Sequence, residues 1–242
     1  MQGVLTIKQL VISESMLNIC LSLAKYKQAG RYYLAGGTAL AIQIKHRYSE
    51  DLDFFTPGKV NSDSIINWME ETFPLKSATV IFRKIDQLDL RINGVKVSFI
   101  EYPFPLVYPP VDLNVIEPEL SGIKLASISE ISLFKAYALG RRASFRDYID
   151  LYFIMHNNYS SLEKIIEDCY KKYVLEGELL FSDKLFLQQL SYTEDLPDKE
   201  EALSMLFDQN VTADVVEKEL AKKINIFLSK FGNSKVVAGE DA

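Results

Sequence analysis

Cysteine and histidine are scarce in this chain, with two of each among 242 residues: Cys20, Cys169, His46 and His156. Without a CxxC pair, neither a disulfide framework nor a Cys/His zinc site can be built, so any bound metal must be held by oxygen. No apolar run is long enough to span a bilayer, and the opening MQGVLTIKQL lacks the basic region and long apolar core of a signal peptide. The expected location is therefore the cytoplasm, with no membrane contact. Positive charge is not in excess either: 27 Lys and Arg stand against 33 Asp and Glu, a net charge of −6. That balance disfavours a protein that coats nucleic acid through its overall field and leaves only a local basic patch for such a role. No internal repeat or low-complexity tract is evident. With 48% hydrophobic and 25% charged residues, the chain has the composition of an ordinary globular protein of one large or two small domains.

The most informative stretch is residues 36–55, GGTALAIQIKHRYSEDLDFF. Asp51 and Asp53 are one residue apart, so on a strand both side chains point the same way and can share a divalent cation. The alternative is a solvated strand end. Gly36 and Gly37 leave backbone N–H groups open to a phosphate at the start of the following helix, with the Thr38 hydroxyl beside them. A tight strand-to-helix turn would use the same glycines, and the two readings are compatible. Between these blocks, Arg47 can contact phosphate or brace the acidic strand, and His46 is read as a bracing residue rather than a metal ligand.

The patterning divides the chain in two. Apolar spacing predicts a helix over residues 12–29, a short strand over 32–35, a helix over 38–45, a strand over 51–55 and a helix over 62–73. Strands follow over 77–85, 88–92 and 95–102, the last two joined by Asn93-Gly94, a strong two-residue hairpin signal. After the proline-rich connector 103–110 and a short strand in GIKLAS, helical patterning dominates: 130–139, 144–157, 161–173, 178–191 and 212–231, with Pro197 breaking the run. The tail 236–242 reads as frayed. The fold class expected is α+β: a mixed β-sheet with flanking helices over residues 1–110, then a mainly helical domain over 111–242, with a ligand cleft between them.

The blocks GGTALA, HRYSEDLDFF and FKAYALGRRASFRDYIDLYF, in that order between Tyr33 and Phe153, resemble the AbiEii/AbiGii toxin family of nucleotidyltransferases, a branch of the DNA polymerase β-like superfamily. The resemblance implies a nucleotidyltransferase-type sheet, NTP as substrate and Mg²⁺ on Asp51 and Asp53, which would neutralise charge during displacement at the α-phosphate. It also implies a toxin of a bacterial toxin–antitoxin or phage-defence system with an antitoxin partner, and in some relatives addition of nucleotides to a tRNA 3′ end. In the second block it makes Lys135 and Arg142 phosphate contacts and Asp147 a site-lining or orienting residue. Asp147 and Asp150, nearly one helical turn apart, could instead each pair with Arg146 or another base, the simpler reading for Asp150. The aromatic residues nearby, Tyr137, Phe145, Tyr148 and Tyr152, are expected mostly in the core.

One position departs from the superfamily pattern. A third carboxylate is expected on a later strand, and the matching segment GVKVSFIEYP has Ser98 there, which cannot act as a carboxylate base. Counting outward from a turn at Asn93-Gly94 pairs Ile92 with Val95 and sets Asp89 across from Ser98 on the same face, so Asp89 is the candidate for the missing charge. An exposed polar strand position is the alternative. Glu101 has the opposite parity and would need a bulge. The expected function is Mg²⁺-dependent transfer of NMP from an NTP to RNA or another acceptor hydroxyl. The alternatives are a nucleotide-binding module without turnover and a phosphotransferase on the same scaffold.

Overall fold

A computed structural model describes residues 11–115, 120–142 and 144–231. The chain divides into two compact units, residues 1–131 and 132–242. Among the described residues the first unit holds a mixed sheet of β1 (Tyr33–Leu34), β2 (Leu52–Thr56), β3 (Ala78–Arg83), β4 (Gln87–Ile92), β5 (Val95–Glu101), β6 (Val111–Asp112) and β7 (Lys124–Leu125). The strand order is β3-β4-β5-β2-β1-β7-β6, with β2/β5 and β1/β7 parallel and the other pairs antiparallel.

Local chemistry accounts for much of this unit. Asn93 and Gly94 take φ 50° and 84°, the left-handed pair of a two-residue hairpin turn, and Ile92 faces Val95 as counted. The period of two then sorts side chains by face. Leu34, Leu52, Phe54, Leu90, Val97 and Phe99 share a fully buried apolar face, which leaves Asp53, Asp89 and Ser98 on the other. The helix α1 (Glu14–Ala24) is capped by Ser13 and ends five residues before the expected stop. Side chains beyond it are drawn elsewhere: Tyr26 Oη and Gln28 Nε2 reach Ser64 Oγ at 2.6 and 2.9 Å. Burial pushes the Cys20 thiol up to about 12, so it packs as a small hydrophobe and is no nucleophile at neutral pH. The helices α2 (Gly36–Ile44) and α3 (Ser62–Thr72) pack on β2 and β3 respectively.

The sheet-bearing unit continues past the composition break at residue 110, because β6 and β7 add to the edge beyond β1. The connector before them is held by Glu130, a fully buried residue whose Oε2 accepts the backbone N–H groups of Val107 and Tyr108 at 3.0 and 2.9 Å. Two such donors let a carboxylate be buried at tolerable cost.

The helix α4 (Ile128–Leu139) runs across the division, and the second unit contains α5 (Phe145–His156), α6 (Leu162–Lys172), α7 (Asp183–Leu190), α8 (Lys199–Ser204) and α9 (Ala213–Phe231). α9 packs against α5, α6 and α7, and α5 against α8. The expected helix over 178–191 is only half right. Glu176 and Gly177, at φ 52° and 85°, close a small hairpin of β8 (Val174–Leu175) and β9 (Glu178–Leu179), and the helix begins only at Asp183, capped by Ser182. The Glu-Gly pair was the turn signal that helical periodicity obscured. The tail expected to fray, 236–242, lies outside the described residues, as does the N-terminal stretch 1–10.

Candidate active site

Gly36 sits where β1 turns into α2, with φ +64°, a conformation that favours glycine. It also leaves little room for a side chain: a Cβ there would lie 3.1 Å from Asp53 Oδ2, a tight contact. The glycine therefore brings a helix N-terminus directly against a carboxylate, joining the two motifs that the sequence places 17 positions apart. As in any helix, the first N–H groups, here those of Gly36, Gly37 and Thr38, have no carbonyl four residues back within the helix, and the dipole there favours negative charge. Ala35 N–H donates to the Asp53 carbonyl at 2.8 Å, fixing the strand to the turn.

Thr38 is placed differently from the reading that offers its hydroxyl to phosphate. Its side chain is buried, and Oγ1 donates to the Asp51 carbonyl while lying 2.6 Å from Ser49 Oγ. The hydroxyl thus holds the segment before β2 in place, and only the backbone N–H remains for a ligand. Asp51 is exposed immediately before β2, and Asp53 is half-buried within it. Arg47 is buried and donates from Nη1 to the Tyr48 carbonyl at 2.9 Å, an arrangement that fits bracing; His46 is buried beside it.

Across the sheet, Asp53 on β2 is the register partner of Ser98 on β5, and Ser98 in turn is the partner of Asp89 on β4. Register partners point the same way, so Asp53, Ser98 and Asp89 form one row over three adjacent strands. Two strand spacings put the Cα atoms of Asp53 and Asp89 on the order of 10 Å apart. Asp89 is buried, not an exposed strand position, and accepts from Gln87 Nε2 at 2.8 Å with Lys96 Nζ at 3.5 Å. Gln87 and Lys96 were missed in the sequence, although strand parity puts both on the face of Asp89. Glu101 partners Thr56 on the opposite face.

Among the described residues no group of three or more His, Cys, Asp or Glu side chains gathers as a metal cage. The donor set of Asp51 and Asp53 nonetheless suits Mg²⁺, a hard cation commonly held by one or two carboxylates together with substrate phosphates and water.

In the second unit, Lys135 Nζ lies 2.6 Å from both Asp147 Oδ1 and Asp150 Oδ2, and all three side chains are buried. Arg142 Nε stands 3.4 Å from Asp147 Oδ2 with its side chain 67% exposed. Asp150 thus pairs with Lys135, a base from the neighbouring helix, and the Arg146 guanidinium meets Glu201. Asp198, also unforeseen, accepts from Ser144 Oγ at 2.6 Å and Phe145 N–H at 2.9 Å, closing the start of α5. Phe145, Tyr148 and Tyr152 are core, and Tyr137 stacks on Tyr173 with ring centroids 4.0 Å apart. Burial, reinforced by the neighbouring Asp147 charge, pushes the Tyr148 hydroxyl up to about 12, so it titrates far from neutrality.

Residues 21–232 match the family described as nucleotidyl transferase AbiEii toxin, type IV toxin–antitoxin system. An uncharacterised protein of Aquifex aeolicus (strain VF5) is 37% identical over 145 residues, 58% of this chain, which spans 66% of that protein's length. Two solved structures share the fold: a protein from H. pylori described as a nucleotidyltransferase (TM-score 0.53, 18% identity, 91% of this chain and 94% of that one) and the nucleotidyltransferase toxin MenT4 from Mycobacterium tuberculosis H37Rv (TM-score 0.54, 17% identity, 86% and 82%). No described helix is long and apolar enough to cross a membrane.

Proposed function

Because the chain belongs to the AbiEii family of nucleotidyltransferase toxins, we propose that it transfers an NMP group from an NTP to a hydroxyl of an RNA acceptor, with a tRNA 3′ end as the leading substrate. The observation that carries this reading is the close approach of the Gly36 backbone to Asp53, where a Cβ would lie 3.1 Å from Oδ2, at the end of the row through Ser98 to Asp89. The backbone N–H groups of Gly36, Gly37 and Thr38 receive the triphosphate. Asp51 and Asp53 hold Mg²⁺, which when bound would neutralise charge on the phosphates and the departing pyrophosphate. The acceptor oxygen attacks the α-phosphorus as the bond from that phosphorus to the β-phosphate oxygen breaks. Asp89, two strands from Asp53, takes the hydroxyl proton, and Ser98 between them orients the acceptor by hydrogen bonding. Within the second unit Asp147 lies against both Lys135 and Arg142 and orients them, and their role as phosphate contacts rests on the family resemblance alone. The protein would act in the cytoplasm as a toxin of a phage-defence or related system, held in check by an antitoxin.

A specific observation favours one other reading. Ser98 stands where a carboxylate is expected, and Asp89 is already engaged by Gln87 and Lys96, as in a module that binds nucleotide without turnover. Incubation with total tRNA, Mg²⁺ and NTPs labelled at the α- or γ-phosphate separates these. Transfer of α-label that is lost in Asp53→Ala supports nucleotidyl transfer, transfer of γ-label means a phosphotransferase, and NTP binding without transfer means the module.

A further inference from the structure

We propose that the sheet-bearing unit carries a second anionic site, a basic groove along α3 that holds the phosphodiester backbone of the RNA acceptor at the end of the sheet away from Asp53. Two cavities of about 670 and 580 Å³ flank α3. The first is lined by Arg31, Lys59, Arg83 and Lys84, with Asp63 as the acid among them; the second by Lys25 and Lys27, with Glu71. Gln28 joins the two, accepting from Arg31 Nη1 at 3.3 Å and donating to Ser64 Oγ at 2.9 Å. All six cationic side chains are exposed. Arg83 meets Asp63 at 2.8 Å, whereas among the described residues Lys25, Lys27, Lys59 and Lys84 form no ion pair.

Six positive groups facing two negative ones are a strong local concentration in a chain of net charge −6. Such a groove lowers the energy of an anionic chain along its length. The second cavity adds one flat surface: half-buried Tyr26, its ring centroid 5.6 Å from that of the buried Trp68 behind it. A cationic track with a tyrosine ring in its wall suits a single-stranded nucleic acid better than an acidic peptide, which offers no bases to stack.

Its position gives it a purpose distinct from the carboxylate row. Asp53 lies near the start of β2, whereas Lys59 follows its end and Lys84 follows the end of β3, which runs in the same direction. At roughly 3.3 Å per residue Lys59, at one edge of the groove, is at most about 20 Å from Asp53. An acceptor that fills both places must be a polynucleotide several residues long, so the groove would select RNA over free nucleosides. This inference rests on the proposed RNA acceptor.

The test is fluorescence anisotropy of a short labelled single-stranded RNA with the full chain, without NTP or Mg²⁺, over a range of salt. The triple variant Lys27→Gln/Lys59→Gln/Lys84→Gln is expected to bind at least about tenfold more weakly, with the slope of log K against log salt shallower by roughly 2, near 0.7 for each lost contact. Asp53→Ala should keep its RNA affinity. Undetectable RNA binding by the unaltered protein, unchanged affinity and slope in the triple variant, or equally effective displacement by poly-glutamate would each overturn the groove. Failure of the acceptor reading shows separately: RNA affinity that depends on the groove, but no α-label transferred to any RNA.

Discussion

The Gly36 backbone approaches Asp53 so closely that a Cβ on Gly36 would lie 3.1 Å from Asp53 Oδ2, nearer than ordinary van der Waals contact. Gly36→Ala therefore presses on the carboxylate, which has to give by a few tenths of an ångström, and strains a backbone at φ +64°. The strain costs about 1 kcal/mol, whereas misplacing a metal-holding carboxylate is expected to lower label transfer on the order of 10²-fold. Urea unfolding and single-turnover transfer measured on the same preparation separate the two effects. Turnover like that of the unaltered protein would show that Asp53 has slack.

Asp89→Asn keeps an acceptor for Gln87 Nε2 while removing the charge beside Lys96. Loss of a general base is expected to reduce transfer by roughly 10²-fold or more, with NTP affinity unchanged. Unaltered turnover with normal folding would make Asp89 a strand residue only and leave the acceptor to be activated by other means.

Lys135 stands between two buried carboxylates at 2.6 Å. Lys135→Met leaves Asp147 and Asp150 without that cation, and the expected loss is about 3–5 kcal/mol in chemical denaturation. The double variant Lys135→Met/Asp150→Asn should recover part of it. A loss of activity without a loss of stability would instead assign Lys135 to the substrate alone.

The carboxyl of Asp198 is subject to burial, which raises its pKa, but hydrogen bonds from Phe145 N–H and Ser144 Oγ outweigh this and hold it below the usual 3.8. A lowered folded value means stability that is present above pH 3.8 and is lost as pH falls from there through the folded value. Asp198→Ala should cost about 1 kcal/mol at neutral pH through loss of the α5 cap. In urea titrations the gap from the unaltered protein should narrow below pH 3.8.

The legible parts of the fold were those with local causes. Asn93-Gly94 specifies its own turn, so the register of Asp89 against Ser98 followed by counting. Residues 36–55 carried their turn, helix and acidic strand within one short window. The illegible parts depended on partners distant in sequence. The early end of α1 reflects Tyr26 and Gln28 reaching Ser64, some 36 residues away. The hairpin at Glu176-Gly177 was hidden because its strands are two residues each, too short for a period of two to show.

By itself, the sequence determined which donors exist: oxygen ligands rather than sulfur or imidazole, a glycine-rich helix start, and two aspartates at strand spacing. The parallel pairing of β2 with β5 was left to the tertiary structure. It sets Asp53 beside Ser98 and so extends the row to Asp89, a non-local pairing that no hairpin enforces. The tertiary structure also decided that Thr38 turns its hydroxyl inward to Asp51 and that Lys135 is shared by two aspartates, because burial leaves each polar group to find whichever partner the packing brings within reach.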